Sequence, residues 1–303
     1  MVRRIIFAAL ALLALGGTTL FLWPVPMRAA GNPATLEGDT ARGAYVARLG
    51  GCFACHTDTK DGGAIFAGGP PLRTPFGVFY APNITMHETD GIGGWTIEDF
   101  DRAMRSGLSP KGTHYFPAFP YGYYTKMTDQ DIADLWSAFQ TVPPVANRAP
   151  EHKLSFPFDQ RILLRPWKTL FLDPSELASD PERSALWNRG RYLAEGPGHC
   201  GACHTPRNLL GGERGEAALA GAIDADDEKI PAITPSDLGK AGYAVSDIAI
   251  VLKTGVTPEG DVLGGSMAEV VSNATRFWTE DDLTAIANYL LDEDLIGLRR
   301  IAD

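Results

Sequence analysis

The chain reads as a mostly α-helical protein, two small tandem domains behind an N-terminal transmembrane helix. Three observations carry that reading. A five-residue signature occurs twice, 148 positions apart, as Cys52-Phe53-Ala54-Cys55-His56 and Cys200-Gly201-Ala202-Cys203-His204. The flanking segments align in nearly the same register: Arg42-Gly43-Ala44-Tyr45 with Arg189-Gly190-Arg191-Tyr192, Ile84-Thr85 with Ile233-Thr234, and 106–112 with 254–260. Such agreement points to one domain duplicated. Finally, apolar residues recur at helical spacing late in each copy, whereas the first residues form one long apolar run.

That run extends from Ile5 to Trp23, follows Arg3-Arg4 and is closed by Pro24 and Pro26. Nineteen helical residues rise about 28 Å, enough to cross a bilayer's hydrocarbon core. A cleaved secretory signal is the alternative. Against it, Met27-Arg28-Ala29-Ala30 lacks small residues at both positions read by signal peptidase, and the run exceeds a usual signal core. In either case the positive flank stays in the cytoplasm and the body is exported. The expected order is an anchor over 1–30, a first domain over 31–148, a packed linker over 149–183 and a second domain over 184–303.

After a short tether at 32–39, the segment 39–50 is expected as a helix with Tyr45 and Leu49 on one face, running into the first signature. Gly- and Pro-rich 70–94 reads as loops rather than strands. Thr96 with Asp99 can cap a helix that stops at Gly107, and Thr128 with Asp131 repeats the pattern. Behind that cap, Ile132, Leu135, Trp136 and Phe139 make one buried stripe, ended by Val142-Pro143-Pro144. The 145–183 segment holds Phe156-Pro157-Phe158, Trp167, Leu170 and Phe171, too apolar to hang free, and is expected to pack across both domains. In the second copy Tyr192 and Leu193 precede the signature, and Ser246 is expected to cap a helix ending at Gly255. Thr279 with Asp282 caps a last helix striped by Leu283, Ile286 and Leu290.

The signature itself carries the chemistry. Two cysteines separated by two residues can each form a thioether with a porphyrin vinyl group, and the adjacent histidine then falls under the iron. Cys52, Cys55, Cys200 and Cys203 are therefore expected to hold two covalent haem c groups, with His56 and His204 as proximal iron ligands. A zinc site built from the four thiolates would leave both histidines surplus, and a dithiol redox pair needs no following histidine. No cysteine is left over for a disulfide.

Net charge is −10 over 303 residues, and it is one-sided: from His204 onward there are 18 Asp and Glu against 8 Lys and Arg. The first 203 residues are neutral. Nucleic acid is excluded as a partner, while an acidic face can steer an oppositely charged one.

Function turns on the sixth ligands. A methionine thioether favours ferrous iron and raises the potential, whereas an open position admits small ligands. Met267, expected in an irregular segment twelve residues before the Thr279 cap, is the candidate for the second haem. In the first copy a count back from Thr128 finds Phe116, and neighbouring Phe119 is no methionine either. Met127 is the favoured ligand and His114 the runner-up, with an open site or a hydrophobic-staple role for Met127 as alternatives. Met104 sits mid-helix, and Met86 and His87 come too early in the domain.

The runs Pro82-Asn83-Ile84-Thr85, Gly91-Ile92-Gly93-Gly94-Trp95, Ser109-Pro110-Lys111-Gly112-Thr113-His114-Tyr115-Phe116-Pro117-Ala118-Phe119-Pro120-Tyr121 and Lys126-Met127-Thr128-Asp129 resemble the membrane-associated dihaem cytochrome c family. That family is related to the cytochrome subunit of periplasmic alcohol dehydrogenases. Met267-Ala268-Glu269-Val270-Val271-Ser272-Asn273 resembles its distal ligand loop. The likeness runs from Gly43 to Leu291 and implies two class I cytochrome c-like domains. It also implies a carrier that takes electrons from a periplasmic dehydrogenase and passes them toward the respiratory chain or a soluble cytochrome. Those dehydrogenase subunits usually have three haems and a methionine where this chain has Phe119, so neither their identity nor that ligand transfers. The expected protein sits on the periplasmic side of the bacterial inner membrane and has no independent catalysis. The alternative is a haem enzyme of the dihaem peroxidase or thiosulfate dehydrogenase type, with an open or weakly ligated first haem.

Overall fold

The computed structural model describes residues 23–28 and 31–293, together with Arg4, Phe7, Gly16 and Thr19. The expected transmembrane run therefore lies mostly outside the described residues. Among those described, no helix is long and apolar enough to cross a membrane.

In the first copy α1 (Thr40–Leu49) leads through Gly50 and Gly51 into α2 (Cys52–His56). A hairpin of β1 (Pro71–Thr74) and β2 (Gly77–Tyr80) follows, then α3 (Ile97–Ser106) and α4 (Asp129–Phe139). β3 (Lys153–Leu154) and α5 (Leu164–Phe171) lie between the copies. The second copy comprises α6 (Ala185–Glu195), α7 (Gly201–His204), α8 (Val245–Thr254), α9 (Gly265–Asn273) and α10 (Glu280–Leu290) as its main helices.

One glycine per copy shows why the first and last long helices cross as they do. A Cβ on Gly43 would stand 1.8 Å from the Asp134 carbonyl oxygen, and one on Gly190 would stand 1.9 Å from that of Ala285. Backbone lies directly on backbone at both crossings, and any side chain there would push α1 off α4 or α6 off α10.

The caps form as the sequence predicts. The Thr96 hydroxyl and the Asp99 carboxylate close a full capping box, and Thr128 and Thr279 accept from the amides of Asp131 and Asp282. Three expectations are corrected. Residues 70–94 are not all loop: β1 pairs with β2, whose other edge takes Lys153 and Leu154 of β3 from the linker. α8 begins at Val245 rather than at a Ser246 cap, its start fixed by the Ala244 amide donating to the Asp247 carboxylate at 2.9 Å. Met267 lies in the first turn of α9, not in irregular chain.

Each copy has its own core. The first gathers Val46, Phe100, Met104, Ile132, Leu135 and Phe139, and the second Leu193, Ile248, Leu252, Leu283, Ile286 and Leu290. Leu49 belongs to α1 yet is buried in the second core, with Tyr45 packed against it, so that face of α1 joins the domains.

The junction is reciprocal. Tyr45 donates to Asp282 at 2.6 Å and accepts from the Thr279 amide at 3.1 Å, while Tyr192 donates to Asp131 and accepts from the Thr128 amide. Each aspartate is also held within its own domain, Asp282 by Arg189 at 2.7 and 2.8 Å and Asp131 by Arg42. The duplicated Arg-Gly-x-Tyr thus divides its labour: arginine binds the cap aspartate at home, and tyrosine binds its counterpart next door. Like surfaces meeting in this exchanged way are what a two-fold dimer has, here within one chain.

The linker adds a second seam, as its apolar content leads one to expect. Arg161 donates to the His114 carbonyl on the first domain, whereas the Trp167 indole donates to Leu210 on the second. Lys168 is wholly buried and donates to the carbonyls of Ser106 and Gly107 at 2.5 and 2.8 Å, capping the C-terminus of α3 with an amine whose pKa burial lowers to about 7.

Candidate haem-binding sites

His56 and His204, each the last residue of a signature helix, are oriented identically. Nδ1 of His56 lies 2.7 Å from the Pro82 carbonyl oxygen, and Nδ1 of His204 lies 2.8 Å from that of Pro231. A carbonyl can only accept, so Nδ1 carries the proton and Nε2 keeps its lone pair for iron. Burial lowers the pKa of both rings, which favours the neutral, ligating form. The prolines head the matched segments Pro82-Asn83-Ile84-Thr85 and Pro231-Ala232-Ile233-Thr234, so the pairing was visible as a repeat but its role was not.

The four cysteines form no disulfide. Burial pushes the thiols of Cys52 and Cys200 up to about 12, so both stay protonated at neutral pH. Among the described residues no group of three or more His, Cys, Asp or Glu is placed to hold a metal ion. Thiols beside a histidine whose Nε2 is free suit thioether attachment of a porphyrin with axial ligation, and both signatures fit that group.

The two signatures face each other across the domain junction. Lys60, just beyond α2, pairs with Glu269 of α9 at 2.7 Å. The Arg48 guanidinium lies between the Phe53 and Phe277 rings at 4.4 and 4.2 Å and donates to the Asn273 carbonyl. His199, without an evident partner in the sequence, packs its ring edge-on to Tyr123 and Tyr124 of the first domain. Its Nε2 stands 3.7 Å from where a Cβ on Gly51 would be. The residue before one signature thus stands close to the residue before the other.

Met267 is half-buried against the second core. The segment leading to it is hydrogen-bonded as in the first domain, at a constant offset. Leu263 donates to Gly255 and Tyr115 to Gly107, both at 2.8 Å, above matching bridges of Val256 with Val262 and Leu108 with His114. Four residues on from Leu263 stands Met267, and four on from Tyr115 stands Phe119. Met127 lies elsewhere, buried in the first core just before the Thr128 cap, with its carbonyl accepting from Arg28 and Arg105. Met104 is a core residue of α3 and Met86 packs against the same core. His87 accepts at Nδ1 from the Asp90 amide. His114 keeps a buried Nδ1 without a partner, and burial with the charges of Lys168 and Arg165 depresses its pKa to about 4.

No protein-family model matches the chain. It is 42% identical over 301 residues to a protein of Cereibacter sphaeroides described as a dihaem c-type cytochrome, an alignment covering 95% of this chain and 97% of that one. It is also 41% identical over 250 residues to one of the subunits of the nicotinate dehydrogenase of Pseudomonas putida, and 40% identical over 265 residues to the cytochrome c subunit of the quinone alcohol dehydrogenase of Gluconobacter oxydans. Those two matches cover 82% of this chain but only 21% and 53% of the respective relatives, so the chain spans a fifth and about half of their lengths.

Proposed function

The chain belongs to the dihaem c-type cytochromes, and from that footing we propose that it takes single electrons from a periplasmic dehydrogenase and passes them toward the respiratory chain or a soluble cytochrome. Its near full-length identity to a dihaem cytochrome carries the reading, and relatives that are dehydrogenase subunits point to the donor. When bound, haem c supplies a one-electron iron couple held by two thioethers.

The chain's own residues do the rest. Cys52 and Cys55 attach the first haem, and Cys200 and Cys203 the second. His56 and His204 give Nε2 to the irons, held in that tautomer by the carbonyls of Pro82 and Pro231, and Met267 adds a thioether to the second. The reciprocal junction holds the two signature-bearing domains together, with Lys60 beyond the first signature paired to Glu269 of the second domain, so haems held by Cys52/Cys55 and Cys200/Cys203 would sit on adjoining domains. The acidic second domain steers a cationic acceptor.

The proposal extends to the N-terminus, where 5–23 anchors the protein in the inner membrane with both domains on the periplasmic side. Salt-washed native membranes test both parts. The haem bands should stay with the membranes and be reduced on adding the substrate of a resident dehydrogenase, such as an alcohol or a sugar acid. Reduction by dithionite but by no such substrate would overturn the donor, and release by salt would overturn the anchor.

A further inference from the structure

Resting on the proposal that Met267 ligates the second haem, we infer that the first domain supplies no side chain to the sixth position of its haem, which is left to a small uncharged π-acceptor ligand of the carbon monoxide class. Phe119 is the residue at Met267's place. The two loops share more than the closing bonds given above. Ser109 donates to Thr113 and Gly112 to Ser109 in the first, as Thr257 donates to Asp261 and Gly260 to Thr257 in the second. The offset is 148 at the signatures and again through these bonds to the Phe119–Met267 pair, with 149 at Pro82 and Pro231 between them and 151 at the Thr128 and Thr279 caps that follow. A phenyl ring has no lone pair to offer iron.

The other sulfurs and imidazoles of the first domain stand where the second domain has core or surface. Met127 precedes its cap as Trp278 precedes Thr279. The two are 1% and 2% exposed, and their amides donate to carbonyls three residues back, Tyr124 at 3.0 Å and Thr275 at 2.9 Å. Met127 thus plays the part of a buried residue stapling a helix start. Met104 takes the register of Leu252, another core residue. His114 takes that of Val262, which is 76% exposed at the loop base. Nδ1 of His87 is occupied by its own turn.

The surroundings of Phe119 define the ligand. Tyr115, Tyr121 and Tyr124 have ring centroids 5.9, 6.3 and 5.6 Å from its own. Such an aromatic surrounding receives an uncharged diatomic readily, and the buried, unpartnered Tyr121 hydroxyl can donate to its outer atom. Lys168 lies 4.4 Å from the Tyr121 ring, but it already donates to Ser106 and Gly107.

The test is carbon monoxide titration of the dithionite-reduced holoprotein, with electron paramagnetic resonance of the oxidised form. One of the two haems should take up the gas, and that same fraction should be high-spin when oxidised. Phe119→Met should abolish uptake by restoring a thioether at the loop position, and Met127→Leu, which conserves volume, should leave both spectra as in the parent. Absence of uptake at either haem overturns the inference on the parent alone, as does parental uptake in Phe119→Met. Uptake at both haems overturns it through the Met267 assignment, and Met267→Ala then locates the fault by leaving uptake unchanged.

Discussion

Tyr45→Phe removes one hydroxyl from the reciprocal junction and nothing else. That hydroxyl donates to the Asp282 carboxylate at 2.6 Å and accepts from the Thr279 amide at 3.1 Å. A hydrogen bond to a charged group is worth about 1.5–3 kcal/mol. The low end applies, because Asp282 keeps both bonds to Arg189 and is not left as a bare buried charge. The Thr279 amide loses its acceptor at an exposed helix start and adds less than about 1 kcal/mol. We therefore expect a loss of about 2 kcal/mol in urea unfolding of the holoprotein, followed by far-ultraviolet circular dichroism and Soret absorbance. Tyr192→Phe should cost about the same through Asp131. Arg189 stacks 5.5 Å from the Tyr192 ring while pairing with Asp282, so the two losses should not add. A change under about 0.5 kcal/mol for each single variant would place these hydroxyls among surface groups and refute the exchanged junction.

Gly43→Val and Gly190→Val should each destabilise by more than about 2 kcal/mol, since the new Cβ would meet a carbonyl below 2 Å, and thermal melts read this directly. Replacing Cys52 with Cys55, or Cys200 with Cys203, by alanine pairs should halve the covalent haem in denatured protein. The His114 ring titrates at about 4 in the fold against about 6.5 unfolded, so the unfolded chain binds more protons between those values and stability falls as pH drops from 6.5 toward 4. Discounted for a half-exposed ring, the loss is about 1–2 kcal/mol, and His114→Asn should show a correspondingly smaller drop in melting temperature between pH 7 and pH 4.5.

What the sequence disclosed was local or repeated. Thr96 with Asp99, Thr128 with Asp131 and Thr279 with Asp282 are caps legible within four residues, and the paired signatures name their cofactor by spacing alone. The second role of Asp131 and Asp282, receiving a tyrosine from the other domain, depends on packing that no local pattern records. The β1–β2 hairpin was hidden because its third partner, Lys153-Leu154, lies over seventy residues downstream and the segment is full of turn formers. Ser246 looked like a cap because serine so often is one, yet the Asp247 carboxylate selects Ala244 by bonding its amide. For the distal ligand of the first haem, counting back from the Thr128 cap reaches Phe116, and elimination among the remaining candidates brought Met127 forward. The hydrogen-bonded loop supplies a second ruler, along which Met267 corresponds to Phe119, while the junction gives His199 the aromatic partners that spacing could not.

Coulometric redox titration of the purified protein, with absorbance in the α-band, decides whether this chain is a two-haem electron carrier. Two haems on one chain predict two electrons taken up per polypeptide in two one-electron steps, with the c-type band surviving denaturation and extraction in acid acetone. Uptake of a single electron per chain, or a band lost to the solvent on extraction, would contradict it.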